Sequence, residues 1–264
     1  MLVCPVRGCQ TPLMRIERRL DCARGHSFDL ARSGYVNLLQ PQDKKSKEPG
    51  DTSAAIAGRR RLHDLGVTLP LLEAIAAMAR AGENDVVLDA GCGEGFYLGS
   101  MHRLGGFDAH GVDISIPAID AAARRYPECE WVVANADRQL PYAERTFTLL
   151  LSITARMNAA EFRRVLRPDG RLLVAIPAPE DLSELRGGSG GRQDRVERTV
   201  AAFEDSFALV ERKRALTVAA LDAGGVADAR HAIYMPPAAA EKSPPQTRID
   251  RVTFALDLLL FRPR

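Results

Sequence analysis

Residues 86–97, VVLDAGCGEGFY, run an apolar strand segment straight into three glycines spaced two apart, Gly91, Gly93 and Gly95. A strand this apolar is buried on both faces, so the chain must supply covering layers above and below it. The pattern then repeats. Residues 85–91, 108–115, 129–136, 146–153 and 171–177 read as buried strands. Residues 97–105, 116–127 and 159–166 read as helices, the last followed by an RPDG turn at 167–170. Strands alternating with helices predict an α/β domain with a mostly parallel sheet and helices on both faces. Residues 196–215 resume helix and strand, and 251–263 close the chain as a strand in an antiparallel edge pair. The glycine-rich 186–192 and the proline-rich 235–246 read as loops.

The glycine loop restricts the ligand. A dinucleotide fingerprint would carry its last glycine where Phe96 stands, and a phosphate loop would need Gly-Lys-Ser/Thr. Neither is present. Asp89 precedes the first glycine, and a carboxylate there would repel a pyrophosphate but suit a ligand with a cationic amino-acid end. The next strand ends in Asp113, placed to accept both ribose hydroxyls of an adenosine. The third runs on to Asn135, Ala136 and Asp137, where an adenine edge would be read. Singly, each acid is also explained as a helix cap or turn residue. Together, at consecutive strand ends, they point to an adenosyl ligand.

The N-terminus carries a different signal. Three of the five cysteines and one histidine fall in the first 26 residues as Cys4-x4-Cys9 and Cys22-x3-His26. Zinc prefers four tetrahedral sulfur or imidazole ligands, and a short knuckle supplies two of them. Gly8 and Gly25 precede the second ligand of each pair, where a tight backbone is needed. Residues 12–21 have room for a β-hairpin between the knuckles. A disulfide would leave His26 unexplained, and unligated thiols stay open as an alternative. Four protein ligands would make the site structural, with no open position for chemistry. Cys92 and Cys129 read as small buried core residues.

Charge separates the same two regions. Residues 1–62 carry 12 Lys+Arg against 6 Asp+Glu, a net of +6, while the remainder is at −4. The basic residues include Lys44, Lys45 and Lys47 in a polar loop, and Arg59, Arg60 and Arg61 on a helix that Thr52 or Ser53 can cap. A second helix is expected at 68–81. An anionic partner at this end, or simply a solvated basic face, accounts for the asymmetry. No apolar run reaches the roughly 18 residues of a membrane span, and no signal-peptide pattern opens the chain, so a cytoplasmic location is expected.

The glycine loop with Asp89, Asp113 and Asp137 resembles the class I S-adenosylmethionine (SAM)-dependent methyltransferases, whose sheet is Rossmann-like. The resemblance implies that Asp89, Gly91, Gly93, Glu94, Gly95 and Tyr97 line the methionine end of the cofactor. It places Asp113 and Ile114 at the ribose, Asn135, Ala136 and Asp137 at the adenine, and 152–156 (SITAR) over the transferred methyl. With the Cys/Cys/Cys/His knuckle, GHSFDLARSGYVNLL (25–39) and KSKEPGD (45–51), the whole chain is similar to the bacterial 23S rRNA guanine-N1 methyltransferases. That resemblance implies three segments: a zinc-binding RNA-recognition module at 1–40, a basic linker with helices at 41–82, and a methyltransferase domain at 83–264. It implies ribosomal RNA as partner, met by the zinc module with Lys44, Lys45, Lys47, Arg59, Arg60 and Arg61, and it allows a homodimer. Asp181 and Glu184 are candidate acids for removing the guanine N1 proton. Arg156, in a loop where the family often has aromatic-Ala-Pro, is placed to pair with phosphate or stack on a base. A small-molecule methyltransferase with a structural knuckle, or a non-catalytic RNA-binding module, are the alternative readings.

Overall fold

The computed structural model describes residues 1–43, 49–186, 194–232 and 249–264. Lys44, Lys45 and Lys47, the loop expected at 235–246, and all but Arg186 of the loop expected at 186–192 lie outside them. Strands β1 (Leu13–Ile16), β2 (Arg19–Cys22) and β3 (Ser27–Asp29) form a small antiparallel sheet, and its first hairpin is the one expected between the two ligand pairs. Next come β4 (Val36–Asn37), α1 (Ser53–Asp64), α2 (Leu69–Ala79), β5 (Val86–Ala90), α3 (Phe96–Gly105) and β6 (Asp108–Asp113). The chain continues through α4 (Ile116–Arg125), β7 (Glu130–Val133), β8 (Phe147–Ile153), α5 (Ala159–Val165) and β9 (Leu166–Pro177). It ends with α6 (Val196–Phe203), β10 (Phe207–Ala220), α7 (Ala223–Ala232) and β11 (Arg251–Pro263).

The main sheet has the order β10-β11-β9-β8-β5-β6-β7-β4, with β5 at its centre. Strands β4 to β9 run parallel to their neighbours, and β11 and β10 add an antiparallel pair, β10 at the edge. Alternation along each strand feeds two apolar layers. Val87 and Leu88 go to opposite layers, as do Trp131 and Val132, and Leu149 and Leu150. This is the α/β sheet expected, with two differences. β9 begins at Leu166, inside the segment expected to end a helix, and its register steps over residues 167–170 between Leu166 and Arg171. The RPDG turn is therefore a bulge within a strand, which periodicity alone does not distinguish from a turn between elements.

The second difference is β4. Two residues carry no readable period, yet Val36 and Asn37 pair in parallel with Val132 and Val133 and close that edge of the sheet. Leu38 N–H continues the ladder to the Val133 carbonyl at 2.9 Å. Cys4, Leu13, Leu20, Val36 and Leu38 share one apolar layer with Leu88, Val112, Val132 and Tyr142. The cysteine-bearing module is thus packed onto the sheet rather than tethered beside it. Among the described residues no single helix is long and apolar enough to cross a membrane. α1 and α2 reach that length only together, and they meet at 85°.

Candidate active site and metal centre

The four N-terminal ligands converge. One ligand atom each from Cys4, Cys9, Cys22 and His26 lies within 4.8 Å of the others. Tetrahedral zinc, with Zn–S of about 2.3 Å and Zn–N of about 2.0 Å, sets sulfurs about 3.8 Å apart and sulfur and nitrogen about 3.5 Å apart. Cys9 and Cys22 Sγ are 3.8 Å apart, and His26 Nδ1 is 3.4 Å from Cys4 Sγ and 3.3 Å from Cys22 Sγ. The donor set and its edges fit zinc. The four-residue spacing of the first knuckle is absorbed by a turn, with Cys9 N–H on the Val6 carbonyl and Gly8 at φ 74. Gly25 takes the matching φ of 82 in the second knuckle, and Arg24 bonds the Gly8 carbonyl across the pair at 2.8 Å.

The second site forms where β5, β6 and β7 end side by side. Asp89 is 2% exposed, and its Oδ1 has no hydrogen-bond partner among the described residues. Burial, then Asp113 and Glu94 nearby, push its carboxyl up to about 8. A buried acid without a partner is costly until a cationic ligand completes it, and the ammonium at the methionine end of SAM is such a group. Asp113 accepts from the Ser115 N–H at 2.8 Å and the Gly93 N–H at 3.0 Å, fixing the glycine loop against β6. Burial raises its pKa despite those two donors. At Gly91, φ 87, a Cβ would stand 2.4 Å from the Ala155 Cβ, so the loop after β8 roofs the glycine loop at that point. Only glycine permits this approach.

The strand end expected to border an adenine is anchored from the N-terminal segment. Asn135 Oδ1 accepts from the Asp137 N–H at 3.0 Å, and its Nδ2 donates to the Asp43 carbonyl at 2.9 Å. Ala136, Ile114 and Tyr97 are partly buried against the two core layers. Arg156 is exposed, with Nη1 3.5 Å from Asp137 Oδ2. Asp181 and Glu184 are tied to the neighbouring strand. Asp181 Oδ1 accepts from the Ala255 N–H at 3.1 Å, and Glu184 accepts from the Thr253 N–H at 3.1 Å and from its hydroxyl. Burial opposes the charge of Glu184, but the two Thr253 donors outweigh it and hold the carboxyl below its ordinary range.

With both sites in place, comparison with known proteins gives a consistent result. The family profile described as "RlmA, N-terminal", a zinc ribbon, matches residues 2–47, and one described as "Methyltransferase domain" matches 87–170. A Streptomyces fradiae protein named 23S rRNA (guanine(748)-N(1))-methyltransferase is 38% identical over 231 residues, 84% of this chain and 80% of that protein. The chain belongs to the 23S rRNA (guanine-N1)-methyltransferase family. A Micromonospora griseorubida relative, provisionally named as a 23S rRNA (guanine-N(1)-)-methyltransferase, is 38% identical over 70% of this chain and 68% of its own length. A solved Bacillus halodurans C-125 chain, provisionally described as a methyltransferase, shares the fold at a TM-score of 0.53 and 17% identity. That match covers 72% of this chain and 97% of that one. SAM and structural zinc are accordingly the cofactors of this guanine-N1-methyltransferase family member.

Two side chains escaped the sequence reading as glycine-loop residues, His63 and Arg59. His63 stacks on Phe96 with ring centroids 3.8 Å apart. Its Nδ1 lies 2.6 Å from Thr68 Oγ1 and its Nε2 lies 3.2 Å from Glu94 Oε1. Burial raises the pKa of Glu94, but the His63 contact and the Arg59 charge outweigh it and keep the acid below its usual range. Arg59, assigned from sequence to an RNA partner, points inward. It forms an ion pair with Asp51, and its Nη1 is 3.9 Å from where a Gly93 Cβ would stand. The available signal was spacing: Ile56, Arg59 and His63 fall at i, i+3 and i+7, on one face of α1. Arg61 lies off that face and bonds Asp228 of α7 through two nitrogens. Arg60 stays exposed, 3.9 Å from Asp64.

Proposed function

We propose that this chain transfers a methyl group from SAM to N1 of a guanine in a 23S rRNA hairpin loop. The observation that carries the reading is the buried Asp89 carboxyl, its Oδ1 without a hydrogen-bond partner among the described residues, at the glycine loop of a sheet onto which the zinc module is packed. When bound, SAM supplies a methyl carbon made electrophilic by its sulfonium. Asp89 holds the ammonium, the edge of Asp113 takes the ribose hydroxyls, and Asn135 with Ala136 and Asp137 borders the adenine. The rate then depends on holding N1 in line with the methyl carbon, a positioning task. A guanine in a loop reaches such a pocket with little unstacking.

The zinc module, the lysines of the 44–47 loop and exposed Arg60 supply phosphate contacts in this reading, and Arg156, 81% exposed, meets the RNA beside the target base. Asp181 and Glu184 act as positioning residues that hold the loop after β9 against β11. The cytoplasm, where ribosomes are assembled, is the compartment that fits. Tritiated SAM offered with 23S rRNA transcripts and with a panel of small methyl acceptors tests the function. Label on one guanine, with a reverse-transcription stop from its blocked pairing face, is the expected result. Label on a small molecule, or on neither, overturns it.

A further inference from the structure

Arg59 does not behave as a surface cation. Its guanidinium is paired with Asp51 and lies 3.9 Å from the Cβ position of Gly93, and its buried Nε has no hydrogen-bond partner among the described residues. Asp89, at the end of β5 just before the first of the three glycines, has an Oδ1 with no hydrogen-bond partner among the described residues. A guanidinium with one unfilled donor and a carboxyl with one unfilled oxygen, both at the three glycines, suit the two ends of a zwitterion: the carboxylate for Arg59, the ammonium for Asp89 once it gives up its proton. SAM ends in such a zwitterion, an α-ammonium and an α-carboxylate on the same carbon. His63, the other cationic candidate at this loop, has Thr68 Oγ1 2.6 Å from Nδ1 and Glu94 Oε1 3.2 Å from Nε2.

We infer that Arg59 binds the carboxylate at the methionine end of SAM, opposite Asp89, and that Asp51 positions Arg59 for it. The inference rests on the cofactor placement proposed above. It removes Arg59 from the RNA surface and makes it a specificity residue for the donor. Asp51 has a second tie that supports the positioning role. Its carbonyl accepts from the Ser115 hydroxyl at 3.1 Å, next to the Asp113 end of β6, so its carboxylate is held at a fixed distance from the loop.

The test is equilibrium dialysis with two radiolabelled ligands, SAM and decarboxylated SAM, which lacks only the carboxylate. Removing one partner of a buried charge pair costs at least 2 kcal/mol, so Arg59→Ala should weaken SAM by about 30-fold or more. Decarboxylated SAM should change less than about threefold, since its contact is already missing. Asp51→Asn should weaken SAM by roughly fivefold, again sparing the analogue. Filter binding of 23S rRNA at fixed salt should be unchanged in both variants. Equal losses for both ligands, or lost RNA affinity with SAM affinity intact, overturn the inference. If the wild-type chain binds no SAM, the cofactor placement itself has failed. Should Arg59→Ala not fold, Arg59→Gln is read by the same two ligands.

Discussion

The zinc knuckle and the glycine-loop cleft are both small polar sites, and they are built in opposite ways. The knuckle draws its four ligands from residues 4–26 and closes on itself, with edges that already suit the ion. The cleft draws Asp89, Asp113 and Asn135 from three strand ends, Ala155 from the loop after β8, and Arg59 and His63 from a helix that precedes them all. A locally closed site needs only its metal. A site assembled at a sheet edge needs the whole sheet in register before any part of it exists. The two are nevertheless continuous through one apolar layer.

The strongest way to break that comparison is to remove the metal. If the knuckle were independent, Cys22→Ser would unfold it alone and leave the remaining chain melting as before. Because Cys4, Cys9 and Cys22 pack in the layer that includes Leu88 and Val132, the expected outcome is a drop of the single melting transition by roughly 10 °C. Calorimetry with zinc analysis checks it, and a separate low-temperature transition would show the two regions to be uncoupled.

The next effect lies in the cleft. Asp89→Asn keeps the shape but removes the charge, and SAM affinity should fall by about 100-fold in dialysis. A loss under threefold would detach Asp89 from the ammonium.

A smaller effect follows from the same group's protonation. In the cofactor-free chain the Asp89 carboxyl sits at about 8 against 3.8 unfolded, so the folded chain binds the extra proton between those values. That contribution to stability is complete below the unfolded value and is lost as pH rises through about 8. The wild-type melting temperature should therefore fall more between pH 6 and 9 than that of Asp89→Asn. SAM uptake at pH 7 should release close to one proton, read from the buffer dependence of the binding enthalpy. Proton uptake, or parallel pH profiles, would contradict it.

The smallest effect separates structure from chemistry. Glu184→Gln weakens two bonds to Thr253 and should cost about 1–2 kcal/mol of stability, with turnover per folded enzyme within about twofold. A hundredfold loss of turnover would instead make Glu184 the acceptor of the N1 proton.

What could be read from sequence follows this contrast. The knuckle was fully legible, because all its residue types and spacings lie in one short window. The strands and the acids at their ends were legible because buried parallel strands announce themselves as apolar runs. The roof of the cleft was not. Arg59 in a run of three arginines looks like surface charge, and only the helical face it shares with Ile56 and His63 sets it apart. Asp181 and Glu184 look free in sequence, while their partners, Ala255 and Thr253, stand about seventy residues later on β11. β4 has too few residues for any period to show.

That two-residue strand has a further consequence. β4 runs parallel to β7, so its carboxyl end points the same way as the ends bearing Asp89, Asp113 and Asn135. The chain leaving it stays on that rim, and by Asp43 it is already bonded to Asn135. Reversed, the same two residues would have sent residues 38–43 toward the far rim of the sheet, away from Asn135. The orientation of a single short pairing acts as the compass of the N-terminal segment, turning its path up to Asp43 toward the rim that carries Asp89 and Asp113.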